Sequence, residues 1–361
     1  MSRVAVVLMN LGGPDGPGSV QPFLFNLFND PAIIGLPTPF RWLLAKLISS
    51  RRAPIAREIY RELGGGSPLL PNTEAQASAL KSAVIGQLGE SVSAVEVFIA
   101  MRYWHPMSEE CVRKVKAYGP DIVVLLPLYP QFSTTTSASS IRAWRCAAAE
   151  VDLDVPTKAV CCYPTQPGFI SAVAALTGSV LEKLGPQKAD KDAIGSRVLF
   201  SAHGLPKKIV ASGDPYQWQV EQAVEAVVHQ IGQDRPEWID LDYTVCYQSR
   251  VGPLEWIGPS TDDEIIRAGQ DGKSVVLVPI AFVSEHSETL VELDIEYRKL
   301  AAENGVPGYH RVLTVGTEPA FIDGLATLVV SALQTDMPVC SQDGARLCPA
   351  DWTRCRDRLE A

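Results

Sequence analysis

The amino-acid sequence predicts an α/β fold in two similar domains, each a parallel sheet covered by helices. Two observations carry this expectation. Short β-branched runs alternate with longer stretches of helical periodicity, and the strand ends repeat in the same order in both halves of the 361 residues. Such a length suits one large or two medium domains. Alternation of strand and helix implies parallel strands with both faces covered.

Eight runs read as buried strands: 3–11, 94–103, 121–129, 158–164, 196–204, 242–249, 274–282 and 310–316. Between them lie helical segments such as AQASALKSAVIGQLG (75–89) and PYQWQVEQAVEAVVHQIG (215–232). VVLMNLGGP (6–14) aligns with VLFSAHGLP (198–206), FIAMRYWHP (98–106) with VCYQSRVGP (245–253) at its final proline, and VVLLPLYPQFS (123–133) with VVLVPIAFVSE (275–285). Buried strands resemble one another, so each match alone is weak. Their shared order favours two domains over one large sheet. The expected boundaries are an N-terminal domain at 1–165, a C-terminal domain at 166–335 and a tail at 336–361, with the last helix of the second domain free to pack back on the first.

Composition narrows the function classes. A net charge of −9 argues against a nucleic-acid binder, which needs a basic surface. No apolar run is long enough to span a membrane as a helix, and the opening MSRVAVVLMNLGGP reads as a strand and turn rather than a secretory signal. The eight cysteines therefore read as intracellular thiols or ligands, and the protein as cytoplasmic. One segment of the first half stands apart. In 33–69, Phe40, Trp42, Leu43, Leu44, Leu47 and Ile48 are broken by Arg41 and Lys46. It is either a helix packed on its own domain or an amphipathic lip touching a membrane surface or a greasy ligand.

Two constellations carry chemistry. His203, in SAHGLP, closes a strand where Gly204 and Pro206 impose a turn. Ligands of α/β sheets bind beyond the carboxyl ends of strands, so this imidazole is a site candidate, against a histidine hydrogen-bonded in a buried turn. The second constellation is SEHSETLVELDIEY (284–297), where Glu285, Glu288, Glu292 and Glu296 recur at helical spacing. Stacked carboxylates repel one another, so a buried stripe needs protons or cations. It is either a path for a divalent cation, a proton relay or a solvated acidic face. HExxH, GxGxxG and phosphate-loop motifs are absent, and GGGSP (64–68) lacks the following Lys-Ser/Thr.

MNLGGP (9–14), YRELGGGSPL (60–69), MRYWHP (101–106), PLYPQFSTTT (127–136), SAHGLP (201–206), YQSRVGPLEWIGPST (247–261) and SEHSETLVELDIEY (284–297) together resemble, in order, the signature segments of ferrochelatases. The resemblance implies two flavodoxin-like or Rossmann-like domains with parallel four-stranded sheets facing across a cleft. It implies insertion of Fe²⁺ into protoporphyrin IX with release of two protons. The alternatives are a coproporphyrin or other tetrapyrrole chelatase, or a porphyrin- or haem-binding redox sensor without turnover. His203 matches the proton acceptor and Glu288 the essential glutamate. Glu285 and Glu292 match further acidic positions, so the metal candidates are His203, Glu288, Glu285 and Glu292. The expected porphyrin contacts are Leu11, Arg51, Arg52, Tyr60, Arg102, Tyr129, His286 and Trp256. Segment 33–52 matches the lip that rests on the membrane, which implies peripheral contact with the inner face of the cytoplasmic membrane.

The tail is polar and turn-rich, and its Cys340, Cys348 and Cys355 fall in a C-x7-C-x6-C pattern. Some ferrochelatases bind a [2Fe–2S] cluster through three C-terminal cysteines and one internal cysteine. Thr134 stands where animal members carry the internal ligand, so Cys162 or Cys161 is the expected fourth ligand, with Cys146 in reserve. A zinc site and free thiols are the alternatives. Cys111 and Cys246 read as packing residues. The tail's counterpart in animal members implies a candidate homodimer contact.

Overall fold

The computed structural model describes residues 2–89, 92–185, 195–250 and 254–357. Its strands are β1 (Ser2–Asn10), β2 (Val92–Met101), β3 (Ile122–Pro127), β4 (Thr157–Val160), β5 (Ser196–His203), β6 (Tyr243–Gln248), β7 (Ser274–Pro279), β8 (Tyr309–Arg311) and β9 (Val339–Cys340). The chain divides into two units. One comprises Met1–Tyr163 with Leu325–Ala361, the other Pro164–Gly324.

Each unit is built on one parallel sheet. The first has the order β2-β1-β3-β4-β9, the second β6-β5-β7-β8. The shared part of the order is the same, so the aligned sequence segments are equivalent strands: β1 with β5, β2 with β6, β3 with β7. Pro253, the anchor of the second alignment, lies outside the described residues. Val4–Leu8 and Val198–Phe200 are fully buried, as expected of strands covered on both faces.

The first sheet departs from the expected four strands. The tail adds β9 at its edge, with the Ala159 amide donating to the Pro338 carbonyl at 2.9 Å and the Cys161 amide to the Cys340 carbonyl at 2.8 Å. Two residues are too few to show strand periodicity in a sequence. The second crossing between units falls within the helix Pro319–Gln334, ahead of the expected boundary at 335.

Segment 33–69 contains a single helix, Thr38–Glu62. Its buried positions are Ala45, Ser49, Ala53 and Tyr60, three of them small. Its large apolar residues point away from the core: Phe40 is 65% exposed, Leu43 60% and Leu47 47%. Among the described residues no helix is long and apolar enough to cross a membrane.

Candidate active site

The second unit gathers a histidine and two carboxylates at the carboxyl ends of β5 and β6. β5 ends on His203, and the Gly204 amide bonds the Gln248 carbonyl at 2.8 Å as the chain turns away. A Cβ at 204 would lie 2.9 Å from that carbonyl oxygen, so glycine alone permits the turn. Trp256 packs against the same turn, 3.3 Å from that Cβ position.

His203 Nδ1 lies 2.9 Å from Glu288 Oε2. Glu288 opens a π-helix, Glu288–Glu296, a form that recurs at functional sites. Glu292 is held by Ser249, whose amide donates at 3.0 Å and whose hydroxyl donates at 2.6 Å; the hydroxyl also reaches Glu288 at 3.4 Å. Ser249 adopts the left-handed backbone conformation (φ 59°), sparsely populated outside glycine. Gln248 is oriented by Ser201, whose hydroxyl donates to Oε1 at 2.8 Å, and turns its Nε2 toward Glu292 at 3.4 Å.

Charge within this group is unevenly shared. Burial raises the Glu288 pKa, but the charge and hydrogen bond of His203 prevail and hold it at about 2. Glu292, buried beside the Glu288 carboxylate, is pushed up to about 7. Burial works against an imidazolium at His203, yet Glu288, with Glu292 behind it, raises the His203 pKa. Two neighbouring carboxylates thus resist ionising together, and a proton exchanges near neutrality. His286 is buried, which lowers its pKa; its Nδ1 meets the Ser284 carbonyl at 3.1 Å, so Nδ1 is the donor and Nε2 the acceptor.

The structure does not bring Glu285 to this group. It precedes the helix and accepts from Arg311 Nη1 at 2.9 Å and 3.1 Å, and from the Thr314 amide at 3.0 Å. A carboxylate neutralised by a buried guanidinium is poorly placed to take a metal. Glu296 is exposed. The stripe of four therefore reduces to Glu288 and Glu292, because the chain is helical only from the end of that segment's first turn and the helix is π.

The first unit holds a second polar group at its own strand ends. Arg102 donates to Asp30 through Nη2 at 2.7 Å and to Ser139 through Nε at 2.8 Å, while Asp30 also accepts from Tyr103 at 2.8 Å and Ser139 at 2.6 Å. Tyr60 and Tyr103 pack in one apolar cluster, with Leu11 against it. The Tyr129 hydroxyl is buried against Ser140, and Trp256 Nε1 in the second unit is buried without a hydrogen bond among the described residues. Such an atom is where a ligand can supply the partner. Arg51 and Arg52 are exposed on the helix Thr38–Glu62, with Arg52 5.9 Å from the Phe28 ring centroid.

Five buried cysteines meet in the first unit: Cys161, Cys162, Cys340, Cys348 and Cys355. The Cys161 and Cys162 sulfurs are 3.6 Å apart. Cys355 hydrogen-bonds both Cys161 and Cys348, and Cys348 hydrogen-bonds Cys162. The thiols of Cys162 and Cys355 hold the Cys161 pKa well below its ordinary value. Among the described residues no three His, Cys, Asp or Glu side chains converge as ligands of a single metal ion. Cys146 is exposed, and Cys111 and Cys246 are buried apart, each pushed up to about 12 by burial.

Paired parallel-sheet units with titrating groups at their strand ends define an α/β protein of the chelatase architecture. The structure of SirB from Bacillus subtilis with Fe³⁺ shares the fold with a TM-score of 0.50 at 12% identity, over 92% of this chain and 96% of that one. The ferrochelatase family profile matches residues 3–333. The ferrochelatase of Caulobacter vibrioides is 52% identical over 355 residues, covering 98% of this chain and 97% of that protein. That of Pelagibacter ubique is 47% identical, covering 98% of each. The chain belongs to the ferrochelatase family.

Asp30, Ser139, Gln248, Ser249 and Tyr297 were not singled out from the sequence. Tyr297 reaches Asp262 at 3.1 Å and Glu292 at 3.4 Å. Gln248 and Ser249, within YQSRVGP, and Tyr297, closing SEHSETLVELDIEY, lay in segments already marked by resemblance, whereas Asp30 and Ser139 did not.

Proposed function

We propose that the protein inserts ferrous iron into protoporphyrin IX, forming protohaem and releasing two protons, as the last step of haem biosynthesis. The observation that carries this reading is the His203–Glu288 contact at 2.9 Å with Glu292 beside it. A free-base porphyrin must lose its pyrrole protons as the metal enters. An imidazole at a strand's carboxyl end, oriented by a carboxylate, is suited to accept them. Imidazole with carboxylate is also a fitting donor set for a borderline divalent cation. Leu11, Tyr60, Arg102, Tyr129, His286 and Trp256 are the proposed porphyrin contacts, and Arg51 and Arg52 the proposed partners of its propionates.

The outward apolar face of the helix Thr38–Glu62 supports peripheral contact with the inner face of the cytoplasmic membrane. The buried thiols support a resident [2Fe–2S] cluster. Such a cluster takes four thiolates shared by two irons, so its ligands need not converge on one point. When bound, the cluster supplies one-electron redox chemistry, which iron insertion itself does not require.

Anaerobic incubation with Fe²⁺ and protoporphyrin IX or coproporphyrin III tests the reading. Expected is loss of porphyrin fluorescence and growth of the haem spectrum with protoporphyrin IX. Turnover of coproporphyrin III alone would reassign the substrate, and binding of both without turnover would make the protein a carrier.

A further inference from the structure

The reading above leaves the cluster's ligands unassigned, and the expected set of three tail cysteines with one internal partner is not what the sulfur contacts favour. We infer that a [2Fe–2S] group is held by Cys161, Cys162, Cys348 and Cys355, two from the end of β4 and two from the tail, with Cys340 serving as a strand residue outside the ligand set. The inference rests on the cluster reading.

The contacts form a closed ring. Cys161 meets Cys162, Cys162 meets Cys348, Cys348 meets Cys355, and Cys355 returns to Cys161. Each sulfur hydrogen-bonds two others of the four. A two-iron cluster distributes four terminal sulfurs as two pairs, one per metal. A four-membered ring of thiols is the arrangement that divides into two such pairs.

Cys340 sits differently. Its position is set by backbone pairing: Val160 stands opposite it in register, and its carbonyl accepts from the Cys161 amide at 2.8 Å. Its thiol feels the charge of Cys161 but is not joined to the ring by a hydrogen bond among those that shift its pKa, and it is only 2% exposed. It behaves as a small buried hydrophobe at the edge of a sheet. The pairing has its own use, because it brings the tail alongside β4 and so places Cys348 and Cys355 within reach of Cys161 and Cys162. Ligation would then tie the rest of the tail to a sheet edge that two strand residues alone hold weakly.

The test is iron and acid-labile sulfide content, visible absorption and the electron paramagnetic resonance of dithionite-reduced full-length protein, purified without oxygen. Wild type is expected to carry iron and sulfide in equal amounts. Cys161→Ser, Cys162→Ser, Cys348→Ser and Cys355→Ser should each lose both, and Cys340→Ala should keep both. Cys340→Val and Cys340→Ser serve where the alanine variant fails to fold, as judged by circular dichroism. Wild type lacking iron and sulfide overturns the cluster itself. A cluster-bearing wild type whose folded Cys340 variants lose it, or whose Cys161 or Cys162 variant keeps it, overturns the ligand set while leaving the cluster standing.

Discussion

Glu292 is the residue whose replacement reads out the electrostatics of the site most directly. Its pKa is pushed from 4.5 to about 7, by burial first and by the Glu288 charge second. A folded-state pKa above the unfolded value means that folding favours the protonated form. The stability this contributes is fully present below pH 4.5 and is lost as pH rises through about 7. By pH 8 the loss amounts to about 3 kcal/mol. Glu292→Gln keeps the side chain's size and an acceptor for the Ser249 amide and hydroxyl, but carries no charge to lose. The variant should therefore match or trail wild type at pH 5 and gain on it steadily toward pH 8, by about 2–3 kcal/mol. Glu288 does not blur the window, since its pKa near 2 gives stability that is lost only as pH falls through that value. His203, raised by Glu288 and Glu292, loses some support in the variant, which trims the gain. Urea unfolding at pH 5, 6.5 and 8, followed by circular dichroism, measures the difference. A gap that does not change with pH, or a variant weaker than wild type at pH 8, would refute the proposed crowding of the two carboxylates.

Two further outcomes are expected. His203→Ala should lower the rate of iron insertion by about 10²–10⁴-fold, the usual contribution of a positioned proton acceptor, with an unchanged circular dichroism spectrum; near-normal turnover would remove His203 from its proposed role. Phe40→Glu with Leu43→Glu should weaken sedimentation with anionic phospholipid vesicles by at least about tenfold, given the transfer free energy of two large side chains, and unchanged binding would return the helix to a role within its own unit.

The fold was legible because buried parallel strands announce themselves as β-branched runs, and because the two halves share strand order. His203 was legible for a related reason: Gly204 and Pro206 mark the strand end that exposes it. Glu285 was not, because its partner Arg311 lies 26 residues away and no local spacing reveals a buried ion pair. Ser249 was hidden differently. Its role depends on a left-handed backbone that favours glycine, and serine gives no sign of adopting it. The thiols show both cases together. Three tail cysteines in a polar segment suggested ligands, but which sulfurs meet depends on β9, a strand too short to be read from sequence.

The charge pattern bears on how metal and protons share the site. At neutral pH Glu288 is anionic and its charge is what raises His203. An imidazole raised in this way holds a proton more firmly than a free one. On the proposed roles, a divalent cation arriving at Glu288 would cancel part of the field that raises His203, so that the imidazole would give up its proton to solvent and stand as a free base for one leaving the porphyrin. The same cation lowers the proton affinity of Glu292, which titrates near 7 and is oriented by Ser249. Metal and protons therefore compete for one set of charges, and each favours the other's departure. On that account Glu288 need not be assigned to metal or to protons alone: its contact with His203 couples the two, and the exchange of one dication for two protons leaves the charge of the site as it began.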